Sequence, residues 1–153
     1  MSHPVLWERS QVRLSRPVMR LVAVRTKESF WTRAAGRIAD TTVAVVGGEV
    51  AGFVMVVGDE VEQMYVSARH RGNGVADALL DEAERQVAAA GYPWAWLAVV
   101  AGNGRARRFY ERHGWRDEGL FDHHAPGDDG PIPVPAHRYV KDIADIPDAD
   151  LAR

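Results

Sequence analysis

The spacing of apolar and polar positions changes character twice along this chain. Thr41–Val46 is rich in β-branched residues, Gly47-Gly48 follows, and Val50–Val57 is an unbroken apolar run. Gly58-Asp59 then precedes Val61–Val66. Three such runs joined by short Gly-containing turns predict an antiparallel meander. The middle run is apolar on both faces, which predicts a strand inside the sheet. The period then lengthens. Val75, Leu79, Ala83 and Val87 recur every four residues with Ala76 and Leu80 beside them, while Asp77, Asp81, Glu84 and Arg85 take the other face. This predicts an amphipathic helix from Val75 to Ala90, stopped by Gly91 and Pro93. Trp94–Val100 is a further apolar strand, and strand, helix and strand in this order predict a right-handed parallel crossover.

A second helix is predicted from an Asn103 N-cap to His113, ended by Gly114. Trp115–Phe121 reads as a strand. Asp122–Pro135 holds Pro126, Gly127, Gly130, Pro131, Pro133 and Pro135 and reads as a loop. Ala136–Lys141 reads as the last strand, followed by a frayed tail to Arg153. The first 40 residues are less regular. Val12-Arg13-Leu14 fits a short strand, and Val18–Val24 and Glu28–Ala35 fit helices, with Pro17 interrupting. The sum is an α/β domain on a mixed, mostly antiparallel sheet flanked by helices.

The length of 153 residues suits one domain with a sizeable core. There are no cysteines. That excludes a cysteine nucleophile, a thiolate zinc site and a disulfide scaffold, and it fits a reducing compartment. A net charge of -2 gives no general attraction to nucleic acid or an anionic membrane. The apolar runs are too short to span a bilayer, and the N-terminus lacks the layout of a signal peptide. A cytoplasmic protein is the expectation.

Arg69-His70-Arg71-Gly72-Asn73-Gly74 lies between a predicted strand and a predicted helix. Glycines there permit a sharp turn and a close backbone approach. Open N–H groups at a helix N-terminus favour an anion, and Arg69 and Arg71 add donors for phosphate oxygens. The pattern fits a diphosphate cradle. It also fits a turn with solvated arginines. A Walker loop is excluded because no Gly-Lys-Ser/Thr follows, and a dinucleotide fingerprint lacks its third glycine.

Arg69-x-x-Gly72-x-Gly74, followed by Val75-Ala76 and preceded by Tyr65-Val66, resembles the coenzyme A motif of the GNAT acyltransferase superfamily. Downstream, Asn103-x-x-Ala106-x-x-Phe109-Tyr110-x-x-x-Gly114-Trp115 resembles its second motif, and His137–Lys141 resembles its last strand. The resemblance runs from about Thr41 to Lys141 and weakens before Ala39. It implies a single GNAT-like domain over residues 1–153, with a divergent acceptor-side segment at 1–40, a coenzyme A-binding core at 41–141 and a tail at 142–153.

The resemblance also implies chemistry. The strands Val61–Val66 and Trp94–Val100 would splay, and the pantetheine arm would pair with backbone groups of Met64 and Val66. The N–H groups of Gly72, Asn73, Gly74, Val75 and Ala76 would hold the diphosphate. Asn103 would touch pantetheine as well as cap its helix. The reaction would be N-acetylation of a primary amine by direct attack on acetyl-coenzyme A in a ternary complex. Tyr110 is the implied acid at the departing sulfur, and Met64 N–H the implied oxyanion donor, worth ~3 kcal/mol if well aimed. Glu62 is the candidate base. Alternation puts Glu62, Met64 and Val66 on one strand face, and Glu60 on that face competes with it.

A non-catalytic acyl-coenzyme A-binding regulatory module on the same fold is the alternative. The acceptor, a small-molecule or protein amine, is not named by the sequence, and the resemblance allows a homodimer. Asp122-His123-His124 is no metal site, since neighbouring residues point apart and no third ligand is spaced to join them. Arg105, Arg107, Arg108 and Arg112 are spread around a helix, which argues against nucleic acid and leaves coenzyme A phosphates as partners for some of them.

Overall fold

The structure is a computed structural model. It describes residues 5–13, 18–25, 41–125 and 128–144. The chain forms two compact units, Met1–Gly91 and Tyr92–Arg153.

In the first unit, β1 (Val5–Arg13), β2 (Val18–Arg25), β3 (Thr41–Val46), β4 (Glu49–Val57) and β5 (Glu60–Val66) pair successively and antiparallel. The meander follows the predicted runs. Gly47 and Gly48 both adopt left-handed φ (58° and 79°), as a two-residue hairpin turn requires. Helix α1 (Val75–Ala89) packs on β3, β4 and β5. It buries Val75, Leu79, Leu80, Ala83 and Val87, and Gly91 follows it with φ 92°. Buried Glu82 is satisfied by Arg85 and by Gln86, whose amide also reaches Thr42 Oγ1 at 2.7 Å. Glu84, assigned to the polar face from spacing, is buried as well. It stands one turn beyond Leu80, so the apolar stripe is wider than one residue per turn.

In the second unit, β6 (Trp94–Val100), β7 (Arg116–Ala125) and β8 (Ile132–Asp142) form an antiparallel sheet in the order β6-β8-β7. Helix α2 (Gly104–Arg112) lies on the face of Leu97 and Tyr139, because Tyr110 and Arg107 both meet Tyr139. It ends in a Schellman motif: Trp115 N–H bonds Tyr110 O at 3.0 Å and Gly114 N–H bonds Glu111 O at 3.1 Å, with Gly114 at φ 86°.

Three expectations are corrected. Val18–Val24 is a strand: Met19 and Leu21 are buried and Arg20 between them is exposed, which is period two. Asp122–Pro135 is not one loop, because β7 runs on to Ala125 and β8 starts at Ile132. Pro133 and Pro135 pair with His124 and Asp122 on the β7 side, while β6 joins β8 only from Ala136 onward. Both prolines therefore precede the stretch of β8 that pairs on both sides, although Pro135 O already accepts from Ala101 N–H at 3.3 Å. The start of the predicted tail is anchored, with Ile143 buried and its N–H bonded to Pro93 O at 3.0 Å. Glu28–Ala35 and residues 145–153 lie outside the described residues. Among the described residues no helix is long and apolar enough to cross a membrane.

Candidate active site

The phosphate loop is built at the end of β5. Ser67 is extended, a short 3-10 turn covers Ala68–His70, and Gly72 and Gly74 adopt φ 81° and 83°. Left-handed φ at two positions needs glycine and swings the chain into α1. Gly74 is the N-cap, with no side-chain cap, and the first intrahelical bond runs from Ala78 N–H to Gly74 O at 3.1 Å. The N–H groups of Val75 and Ala76 precede that bond, so they are open donors of the helix end.

The backbone of β5 has a defined direction. Ser67 N–H bonds Ala51 O of β4 at 2.8 Å. Peptide groups alternate along a strand, so Tyr65 and Gln63 also turn towards β4, while Met64 and Val66 present N–H and C=O to the other edge. These are the groups assigned to pantetheine. The side-chain alternation is interrupted. Met55 pairs with Gln63 but Val56 pairs with Val61, leaving half-buried Glu62 as the extra residue of a β-bulge. Val61, Met64 and Val66 therefore share the face of Val56, Val54 and Gly52. Glu60 pairs with Val57 and falls on the opposite face, so it does not share the face of Met64 as simple alternation implied.

The two loop arginines differ. Arg69 is 3.5 Å from Glu49 Oε1, and His70 Nε2 is 3.3 Å from Glu49 Oε2. Glu49 opens β4 and had no signal in the sequence. Arg71 is exposed and makes no ion pair among the described residues.

In the second unit Asn103 Oδ1 accepts from Ala106 N–H at 3.1 Å, so the cap is real, and the residue is exposed. Tyr110 is only 9% exposed. Its ring meets Phe109, Trp115 and Tyr139 at centroid distances of 5.2, 6.0 and 6.2 Å. Its hydroxyl has no hydrogen-bond partner among the described residues. Burial alone pushes its pKa up to about 12.

Arg107 does not face outward with the other arginines of α2. It donates to Tyr139 Oη (3.2 Å), Ala101 O (3.3 Å) and Asp117 Oδ2 (3.2 Å). Asp117 also accepts from His137 Nδ1 at 2.9 Å and Gly119 N–H at 2.8 Å. The His137 hydrogen bond is the first cause holding the Asp117 carboxyl below its usual range. Arg105, Arg108 and Arg112 are exposed. His123 and His124 lie on β7, so they point to opposite faces, and no metal-binding group of three occurs among the described residues.

A left-handed double-glycine turn feeding an uncapped helix, beside a strand with outward backbone donors, fits an acyl-coenzyme A-binding fold. Residues 7–115 match the Acetyltransferase (GNAT) family, and the chain belongs to that family. The match begins earlier than the motifs alone implied. The α/β architecture is likewise that of the family's solved structures. Nourseothricin acetyltransferase is 30% identical over 68% of this chain and 65% of its own, with a TM-score of 0.59. A GCN5-related N-acetyltransferase from Rhodopseudomonas palustris is 21% identical over 74% and 66%, with a TM-score of 0.60. The chain thus spans just under two thirds of the length of these two. The yncA protein of Salmonella typhimurium, solved with its cofactor acetyl-CoA, is 18% identical over 74% and 70%, with a TM-score of 0.56. Curated proteins include no match.

Proposed function

We infer that this acetyltransferase-family chain moves an acetyl group from acetyl-coenzyme A to a primary amine by direct attack. The observation that carries the inference is the β5–Gly72–Gly74–α1 arrangement, with left-handed glycines and open helix donors suited to a diphosphate. Gly72, Asn73, Gly74, Val75 and Ala76 hold the diphosphate, with Arg71 the readier of the two loop arginines. Met64 and Val66 pair with pantetheine, and Asn103 contributes its remaining amide donors there.

The amine nitrogen bonds the carbonyl carbon, the carbon–sulfur bond breaks, the amine gives up a proton, and the sulfur leaves as a thiolate that takes one up. Glu62 accepts the amine proton through water, and the Met64 N–H stabilises the oxyanion. Tyr110 serves the sulfur. A phenol raised to about 12 is a weaker acid than a thiol of ordinary pKa, about 8.5. It therefore helps by donating a hydrogen bond to the developing thiolate rather than by surrendering its proton.

The test is an amine panel with acetyl-coenzyme A, reading free thiol. Nourseothricin belongs in it because of the similarity to its acetyltransferase. So do a polyamine, free amino acids and a peptide with a free N-terminus. Thiol release that depends on one amine supports transfer. Coenzyme A binding with no release for any amine would make the chain a binding module.

A further inference from the structure

The two faces of the β6-β8-β7 sheet are unlike. Helix α2, with Asn103 and Tyr110, lies on the Leu97 and Tyr139 face. The opposite face carries Trp96, Arg138, Phe121, His123 and Val134, read from the pairings Ala98↔Arg138, Phe121↔Ala136 and His123↔Val134. Three exposed large apolar residues, Trp94, Val100 and Ile132, share it.

At its centre the Arg138 guanidinium carbon stands 4.4 Å from the Trp96 ring centroid. Phe121 meets the same indole edge-on at 6.5 Å, and His123 lies 5.9 Å from Phe121. A guanidinium at this distance is attracted to the indole face, and because Arg138 is exposed its donors are accessible to a ligand. Arg138 makes no hydrogen bond or ion pair among the described residues. Glu118 and Gly119 form the β7 bulge opposite Arg138, and no ion pair joins Glu118 to it. Two other acids of this unit are engaged elsewhere. Asp142, on the same face, is bridged to Arg116 at 3.1 Å, and Asp117, on the other face, is held by Arg107 and His137. The result is an exposed guanidinium on an aromatic floor, with no ion pair of its own among the described residues.

This rests on the proposed function, and it adds the acceptor class. In a ternary complex the amine approaches the thioester from a side the coenzyme does not fill. With the coenzyme-contacting groups of α2 on one face of this sheet, the other face is left for the acceptor. We propose that Arg138 over Trp96 binds a carboxylate of the acceptor, with the rings of Trp96 and Phe121 flanking its apolar body. A guanidinium fork matches a carboxylate in two parallel hydrogen bonds. The acceptor class is therefore an amine that also carries a carboxylate, an amino acid or a peptide with a free C-terminus, rather than a polyamine.

The experiment compares matched acceptors, L-phenylalanine with 2-phenylethylamine and L-lysine with cadaverine, in wild type, Arg138→Gln and Arg138→Lys. Comparing variant with wild type for each acceptor cancels the difference in amine basicity. Arg138→Gln is expected to lower kcat/KM 10- to 100-fold for the carboxylate member and less than 3-fold for its partner. Arg138→Lys should fall between, keeping charge without the fork. An equal loss for both members, or no loss for either, overturns the proposal. A second readout needs no turnover. In an NMR titration with 3-phenylpropionate, the Trp96 indole N–H should shift in wild type and not in Arg138→Gln. No shift in wild type at millimolar ligand also overturns it. Carboxylate-specific shifts with no thiol release for any amine would keep this site and remove the transferase reading.

Discussion

Replacing Tyr110 by Phe deletes one oxygen and leaves the ring in its cluster with Phe109, Trp115 and Tyr139. In most proteins a buried tyrosine loses a hydrogen bond in this change, at a cost of about 1 kcal/mol. Here the hydroxyl has no partner to lose among the described residues. Burying it costs desolvation that phenylalanine does not incur, so the expected stability change is between zero and a gain of about 1 kcal/mol. In a domain of this size that is a melting temperature unchanged or raised by up to about 4 °C. Turnover should move the other way. A donor that meets the sulfur only as charge develops supports the transition state more than the bound thioester. A fall in kcat of roughly 10- to 1000-fold corresponds to about 1.4–4 kcal/mol.

The assay is thiol release at saturating acetyl-coenzyme A with the best amine of the panel, alongside coenzyme A affinity and a thermal melt. With its pKa at about 12 the phenol stays protonated through the assay range. Wild-type kcat should therefore show no alkaline loss from Tyr110 below pH 10, because a raised pKa keeps the neutral form until higher pH. An unchanged kcat in Tyr110→Phe, with chemistry shown to limit the rate, refutes the reasoning and leaves Tyr110 as packing. So does a drop in melting temperature with kcat intact, which would mean that the hydroxyl had a structural partner.

Other perturbations follow from the same geometry. Arg71→Gln should weaken coenzyme A 3- to 10-fold in calorimetry, roughly the loss of one exposed charge–phosphate contact. Arg69→Gln should cost less, since Glu49 already engages that side chain, and Glu49→Gln should tighten binding by releasing it. Asp117 is held below its usual pKa, so its contribution is present above the ordinary carboxylate range and lost as pH falls through its folded value. Asp117→Asn should therefore flatten the acid side of a stability-versus-pH curve and leave the neutral side lower than wild type. Gly52→Ala should lower the melting temperature by about 3–10 °C, a typical overpacking cost of 1–3 kcal/mol. A Cβ there would collide with the Tyr65 carbonyl oxygen and stand 3.2 Å from Leu79 Cδ1. A melt equal to wild type would mean that β4 and β5 separate without strain.

What could be seen in the sequence was what each residue does locally. Asn103 and Gly114 were visible because each has a task at a helix end: the cap and the left-handed exit. The β3–β5 meander was visible because Gly47-Gly48 and Gly58-Asp59 break apolar runs at hairpin length. Val18–Val24 misled because a short apolar stretch fits both periods, although exposed Arg20 between buried Met19 and Leu21 carried the strand signature. The prolines of β8 misled because their tolerance depends on which side of the strand has a neighbour. The bulge at Glu62 was invisible because a bulge is a property of two strands in register.

The arginines show the same limit where function is concerned. Arg107 and Arg138 both stand in short basic stretches, and nothing local separates them. Arg107 meets the Tyr139 hydroxyl, while Arg138, one residue before Tyr139 on β8, projects from the other face onto Trp96. The first guanidinium has its donors spent on a phenol, a backbone carbonyl and a carboxylate that fix α2 to its sheet. The second has an aromatic support and no ion pair among the described residues, so its donors are open to a ligand. A one-residue change of parity along β8 thus divides the same chemical group between holding the helix and meeting an acceptor. That division is set by strand register, and register is fixed by partners distant in sequence.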